Sequence, residues 1–468
     1  MSDQKTIAIV GGGITGLTAA YYLQKEIDSK QLPYKVTLIE GSNRLGGKIN
    51  TIKRDGYLIE RGADSFLGRK EPAMRLAENL GLNDELIRNR TGQAYILVHD
   101  ELHKIPTGSY MGVPTDIKPF LESDLFSTKG KLRASLDFVI PRSNAVGDQS
   151  LGHFFRRRFG DELVENIIEP LLSGIYSSDI DKMSLLATFP DFYELEQEHQ
   201  SLIKGLQKTR NKPKAQTGKT PGQFFTFKDG LETFIHQLAQ EIKDDVVLLN
   251  QEVKEITANE RYDIQLQDKH IEADVVIMAT PHHVLPKVFP TYELFKPLRE
   301  IPSSSVANVA LAFDESAVEQ ALDGTGFVVS RNSDYRITAC TWTHKKWENT
   351  TPEGKVLLRA YVGKPEDQAV VNLSDEEIIE IVLHDINKTM RITKKPEFAV
   401  VTRWQDMMPQ YAVGHKARIQ AVRRQAAKQL PGTFIAGSSY EGVGIPDCIG
   451  QAEQAVEQTL AFLHNEKP

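Results

Sequence analysis

The chain has 468 residues, enough for about three domains at roughly 150 residues each. Its 56 basic and 63 acidic side chains leave a net charge of −7, which excludes a protein held to nucleic acid or another polyanion by bulk charge. Its two cysteines, Cys340 and Cys448, lie outside any CxxC or Cys/His cluster, so no structural metal site is expected and a reducing compartment is.

No charged n-region leads into an apolar stretch, and no apolar run approaches the ~20 residues that span a bilayer, so a cytoplasmic protein is expected, with peripheral membrane contact left open. Residues 6–10 read as a short apolar strand and 11–16 as a glycine turn. From Ile14 to about Ile27, apolar residues recur at helical spacing (Leu17, Ala20, Tyr21, Leu23), and 36–40 form a second strand. This order predicts a parallel β-turn-α-β unit.

Gly11-Gly12-Gly13-Ile14-Thr15-Gly16 matches G-x-G-x-x-G between a strand and a helix. The pattern is weak alone, but in that position each glycine has a task. Gly11 permits the tight turn, Gly13 lets a pyrophosphate approach the backbone, and Gly16 allows close helix–strand packing. The helix N-terminus adds free N–H groups and the positive end of its dipole. Glu40, closing the second strand, is placed to accept hydrogen bonds from an unphosphorylated ribose. Gly41 follows it, then Arg44-Leu45-Gly46-Gly47-Lys48, a basic, glycine-rich loop suited to a diphosphate or, more blandly, a turn with solvent-facing charges.

The stretch 81–181 holds helix-like segments, 129–138 and 160–168 among them, with few strand signals. Residues 204–222 carry six Lys/Arg and no acid and read as a loop or linker. Strands are expected at 246–249, 253–256, 262–266 and 275–279, a second sheet at 306–313, 327–330, 337–342 and 356–362, a last strand at 434–437 and a last helix at 451–463. Arg156-Arg157-Arg158 reads as an exposed basic face, and His282 and His344 as structural.

The glycine turn, the E-x-x-x-R-x-G-G-K loop, Glu60-Arg61-Gly62-Ala63-Asp64-Ser65-Phe66, Glu169-Pro170-Leu171-Leu172-Ser173-Gly174-Ile175-Tyr176, and the tail from Ala436 to Asp447 together resemble the protoporphyrinogen oxidase family end to end. The likeness is nearest to its Gram-positive branch of coproporphyrinogen III oxidases. The first two motifs are shared by many flavoproteins, the others by fewer.

The resemblance implies an α/β + α fold like that of amine oxidases and protoporphyrinogen oxidases: a Rossmann-type FAD-binding domain (1–53, 205–284, 412–468) interleaved with a mixed-sheet substrate domain (54–80, 182–204, 285–411), and a helical capping insertion (81–181). It implies non-covalent FAD held by the glycine motifs, with Gly62, Ala63, Asp64 and Ser65 along the flavin, Val253 at the adenine, and Trp404, Ser438, Val443, Gly444 and Ile445 lining the cofactor. Gly174, Ile175 and Tyr176 would face the substrate, although Gly174 also reads as a helix cap. Arg69, Lys70 and Arg359 would meet propionates, and Tyr361 shares a strand with Arg359. The implied reaction is six-electron oxidation of coproporphyrinogen III to coproporphyrin III with O2 as acceptor, giving hydrogen peroxide, in haem biosynthesis; a downstream haem-pathway enzyme is a further expected partner. Protoporphyrinogen oxidation, flavin amine oxidation and a non-catalytic haem-pathway scaffold are the alternatives. No catalytic acid or base stands out, and no metal is expected.

Overall fold

The computed structural model describes residues 4–144, 147–209, 222–319 and 323–465. The first strand, Lys5–Val10, is the middle of a five-stranded parallel sheet. Tyr34–Ile39 and Val247–Leu248 lie to one side of it, Val275–Met278 and Thr433–Ile435 to the other. Its strands are near-continuous apolar runs because both faces are covered. Helices Ile14–Lys30, Glu232–Glu241 and the C-terminal Ile445–Asn465 pack on one face, and their buried side chains merge with Ile7, Ile9 and Ile277 in one core.

The second sheet has seven strands. Ser303–Asp314, Gly326–Val329, Ile337–Trp342 and Lys355–Val362 occupy the positions expected for it. Phe398–Pro409 is added at one edge, and Tyr95–Val98 with Glu101–Lys104 at the other. The last two correct the expectation of scarce strands in 81–181. Alternate side chains of Tyr95–Val98 point to opposite faces: Ile96 and Val98 join the helical core, Tyr95 and Leu97 the core of the sheet.

Helices dominate from residue 117 to 209. Arg156, Arg157 and Arg158 are not the exposed face that was expected. Arg158 is fully buried, its Nε donating to Asp137 Oδ1 at 2.6 Å and its Nη1 lying 3.2 Å from Glu196. Arg157 pairs with the same Glu196, and Arg156 with Asp161, Glu165 and Asp181. The basic stretch 204–222 begins inside the helix Leu202–Thr209, and its residues 210–221 lie outside the described residues. His282 is buried with both ring nitrogens engaged, by Ser439 Oγ and Ile301 O. Among the described residues no helix is long and apolar enough to cross a membrane.

Candidate cofactor and substrate site

One cavity of about 1190 Å³ runs from the C-terminal ends of the parallel strands to the second sheet. Ligand pockets commonly enclose about 300–1,000 Å³, so this one has room for a dinucleotide and a second molecule.

At its first end the two glycine loops are joined. Gly46 N–H donates to Gly12 O at 2.8 Å, and Gly13 and Gly46 form a parallel bridge. Glu40 accepts from Gly12 N–H at 2.7 Å and Ser42 N–H at 2.8 Å, so its carboxylate fixes the turn while lining the cavity. Gln251 N–H donates to Glu40 O at 2.9 Å, which brings Val253 to the same wall. A Cβ on Gly16 would sit 1.9 Å from Gly11 O, whereas one on Gly13 would meet nothing within 4 Å. Gly16 is thus needed for packing, and Gly13 leaves its space to whatever occupies the cavity.

Gly11, Gly13, Ile14, Thr15, Gly41, Gly46, Gly47 and Lys48 also line this end. Gly12 and Gly16 lie behind the wall, as does Arg44, whose guanidinium turns back onto the carbonyls of Leu45, Gly47 and Ile49 and shapes the loop. Lys48 is half-buried, and desolvation lowers its pKa. Its ammonium donates to Met407 O and lies 3.4 Å from Ser438 Oγ.

Further in, Gly62, Ala63, Asp64, Ser65, Trp404, Ser438, Val443, Gly444 and Ile445 line the wall. Trp404 Nε1–H donates to Arg61 O at 2.9 Å. Burial alone would raise the Asp64 pKa, but Lys346 at 2.7 Å and Arg359 at 3.3 Å outweigh it and hold the carboxyl well below its usual range. Arg359 is fully buried, with Nη2 donating to Gly62 O at 2.8 Å. It therefore braces the 62–65 loop from behind and does not line the cavity, which corrects its placement as a propionate partner. The helix Ile445–Asn465 directs its N-terminal end at this wall, the positive end of its dipole. Cys448 also faces in, but burial pushes its thiol up to about 11, so it is not a thiolate at neutral pH.

The far end is formed by Glu169, Pro170, Leu171, Gly174 and Ile175 of the helix Glu169–Tyr176, facing Val328, Val329, Arg331 and Tyr361. Gly174 lies within that helix and is not its cap, and a Cβ there would meet nothing within 4 Å. Tyr176 turns away to pack on Tyr411. Arg69 stacks on Tyr110, and Lys70 binds Asp447 at 2.6 and 2.7 Å; neither lines the cavity. Lys346 and Arg331 were not singled out from the sequence, and Glu169 only as the start of a motif and not as a site residue, because isolated charges near strand or helix ends carry no local signal.

The profile of the flavin containing amine oxidoreductase family matches residues 14–460. The chain belongs to this family. It is 52% identical to a coproporphyrinogen III oxidase of Bacillus subtilis (strain 168), over 99% of this chain and 100% of the relative. It is 46% identical to that of Staphylococcus aureus (strain NCTC 8325 / PS 47), over 98% and 100%. A chloroplastic protoporphyrinogen oxidase of Nicotiana tabacum is 27% identical, over 97% and 85%. A solved structure from Exiguobacterium sp. 255-15 superposes with a TM-score of 0.87 at 38% identity, over 99% of this chain and 100% of that one. A putrescine oxidase mutant, at 17% identity and a TM-score of 0.69 over 98% and 99%, shares the fold. The cofactor is FAD and the protein an oxidoreductase. The residues present fit that group: an open face at Gly13, a carboxylate at Glu40, a helix N-terminus, and a cavity with more volume than one ligand needs.

Proposed function

We propose that this flavoenzyme oxidises coproporphyrinogen III to coproporphyrin III in haem biosynthesis, with O2 as acceptor and hydrogen peroxide as product. The observation that carries this is full-length identity of 52% and 46% with two coproporphyrinogen III oxidases, each spanned completely. The wall formed by Leu171, Ile175, Val328 and Val329 supports it, as an apolar face for a flat macrocycle.

FAD, when bound, supplies the two-electron oxidant. The chain binds and orients. Gly11, Gly13, Ile14, Thr15, Glu40, Gly41, Gly46 to Lys48 and Val253 hold the dinucleotide. Gly62 to Ser65, Trp404, Ser438 and Val443 to Ile445 hold the flavin ring. Gly174, Ile175 and Tyr361 meet the substrate. Segments 1–53, 205–284 and 412–468 serve the cofactor, 54–80, 182–204 and 285–411 the substrate, and 81–181 caps the cleft. We place the enzyme in the cytoplasm. The side chains of Leu132 and Val139, 67% and 68% exposed in the capping segment, support a contact face there for a downstream haem-pathway enzyme.

The test is kcat/KM in air for coproporphyrinogen III, protoporphyrinogen IX and a panel of primary amines. The reading expects coproporphyrinogen III to lead. An amine leading, or no turnover of either porphyrinogen, overturns it, and protoporphyrinogen IX leading overturns the substrate choice.

A further inference from the structure

Glu169 opens its helix directly after a π-helical turn, Val164–Ile168, a distortion found often at functional sites. It lines the cavity with Pro170, Leu171, Gly174 and Ile175. Only 9% of its side chain is exposed. One oxygen, Oε1, lies 2.6 Å from Arg331 Nη2. The other, Oε2, has no hydrogen-bond partner among the described residues.

The surroundings decide what such a carboxyl can receive. Arg331 also reaches Asp179 at 3.0 Å and Asp181 at 3.4 Å, and Arg156 holds Asp161, Glu165 and Asp181. Lys182 lies 3.7 Å from Asp179, so two guanidinium groups and one ammonium face five carboxyls, Glu169 included. Only Glu169 and Arg331 of this cluster line the cavity, and the acidic excess behind them disfavours a propionate and favours a hydrogen-bond donor at Glu169. Burial pushes Glu169 up to about 7, against the pull of Arg331 and Arg156 and with the help of Asp179 and Asp181. Near neutral pH it exchanges a proton readily.

Building on the porphyrinogen reading above, we propose that Glu169 is a catalytic residue, its carboxylate accepting the hydrogen bond and then the proton of a pyrrole N–H, with Arg331 positioning it through Oε1. In each two-electron step a bridge C–H bond breaks and its electron pair leaves as hydride to the bound FAD. The π pair of a pyrrole nitrogen fills the cation that remains. The N–H bond breaks as the hydride departs, its pair stays on nitrogen as the new lone pair, and the proton forms an O–H bond on Glu169. Water takes that proton before the next step.

The experiment mixes FAD-loaded wild type, Glu169→Gln, Glu169→Asp and Arg331→Met anaerobically with coproporphyrinogen III and follows flavin bleaching across pH 5.5–8.5, a range of about 1.5 units either side of the Glu169 value. Coproporphyrin III binding is measured alongside. Wild type should bleach faster as pH rises, levelling above about 7. Glu169→Gln should bleach about 100-fold more slowly, with no pH limb and product affinity within about threefold of wild type. Glu169→Asp should recover part of the rate. Arg331→Met should move the limb to higher pH, because the cation that favours the carboxylate is gone. Glu169→Gln bleaching at the wild-type rate, with the wild-type limb, overturns the assignment. So does an unmoved limb in Arg331→Met, which decides the matter if Glu169→Gln fails to take up FAD. A wild type that stays yellow overturns the porphyrinogen reading, and this assignment with it.

Discussion

Gly13 and Gly16 belong to one motif, yet substitution should break them differently. A Cβ at Gly16 collides with Gly11 O, so Gly16→Val is expected to misfold. A Cβ at Gly13 meets no protein atom, so Gly13→Val should fold, melt like apoprotein and co-purify without flavin absorbance. A Gly13→Val protein with full flavin content would contradict the pyrophosphate assignment. Gly174→Leu should likewise fold and keep FAD while losing about tenfold or more of porphyrinogen kcat/KM. Arg359 carries a different expectation. Its removal leaves Asp64 short of one cation in a buried setting, which costs about 3–5 kcal/mol when such a pair is broken. Arg359→Met should therefore lower stability in urea and reduce turnover of both porphyrinogens alike, whereas a loss confined to coproporphyrinogen would restore a propionate contact. The glycine spacing was legible because the backbone's demands are local. The Arg359 pairing was not, because its acceptor Gly62 lies 297 residues away in the chain.

At the scale of elements, Tyr95–Val98 serves two cores with alternate side chains. Ile96→Ala and Leu97→Ala should each cost about 2–5 kcal/mol by urea unfolding. A loss below about 1 kcal/mol at either position would deny that both faces of the strand are packed. This strand was missed because a four-residue apolar run fits a buried strand and a turn of buried helix equally well. The twelve-residue strand Phe398–Pro409, which carries Trp404, was missed for another reason. It is an edge strand, mostly half-buried, and its polar residues blur the alternation. The inner strands of the same sheet were legible almost to the residue, because burial leaves them mostly apolar, Asn308 and Arg359 being polar exceptions.

At the scale of the whole molecule, two buried carboxyls among the described residues, Glu60 and Glu169, are pushed by burial up to about 7 from an ordinary value of 4.5. Each keeps its proton when folded and loses it more readily when unfolded. Their contribution to stability is complete below about 4.5 and is lost as pH rises through about 7, by at most about 1.4 kcal/mol per pH unit per group. Glu60→Gln should flatten this fall, and an unchanged stability–pH curve would contradict it. Added FAD should stabilise the fold by about 2.7 kcal/mol at 100 times its Kd. Because Cys448 is a neutral thiol and the strand Thr433–Ile435 carries no cysteine, mild denaturation should release FAD intact, whereas flavin retained in the precipitate would contradict non-covalent binding. The most direct test of the central claim is an anaerobic titration of the FAD-loaded protein with coproporphyrinogen III, reading flavin and porphyrin absorbance together. Removing six electrons by two-electron steps requires that one porphyrinogen reduce three flavins, so bleaching should be complete at one molecule of substrate per three flavins, with coproporphyrin appearing in step. Flavin that stays yellow, or bleaches without the porphyrin band, would contradict the account.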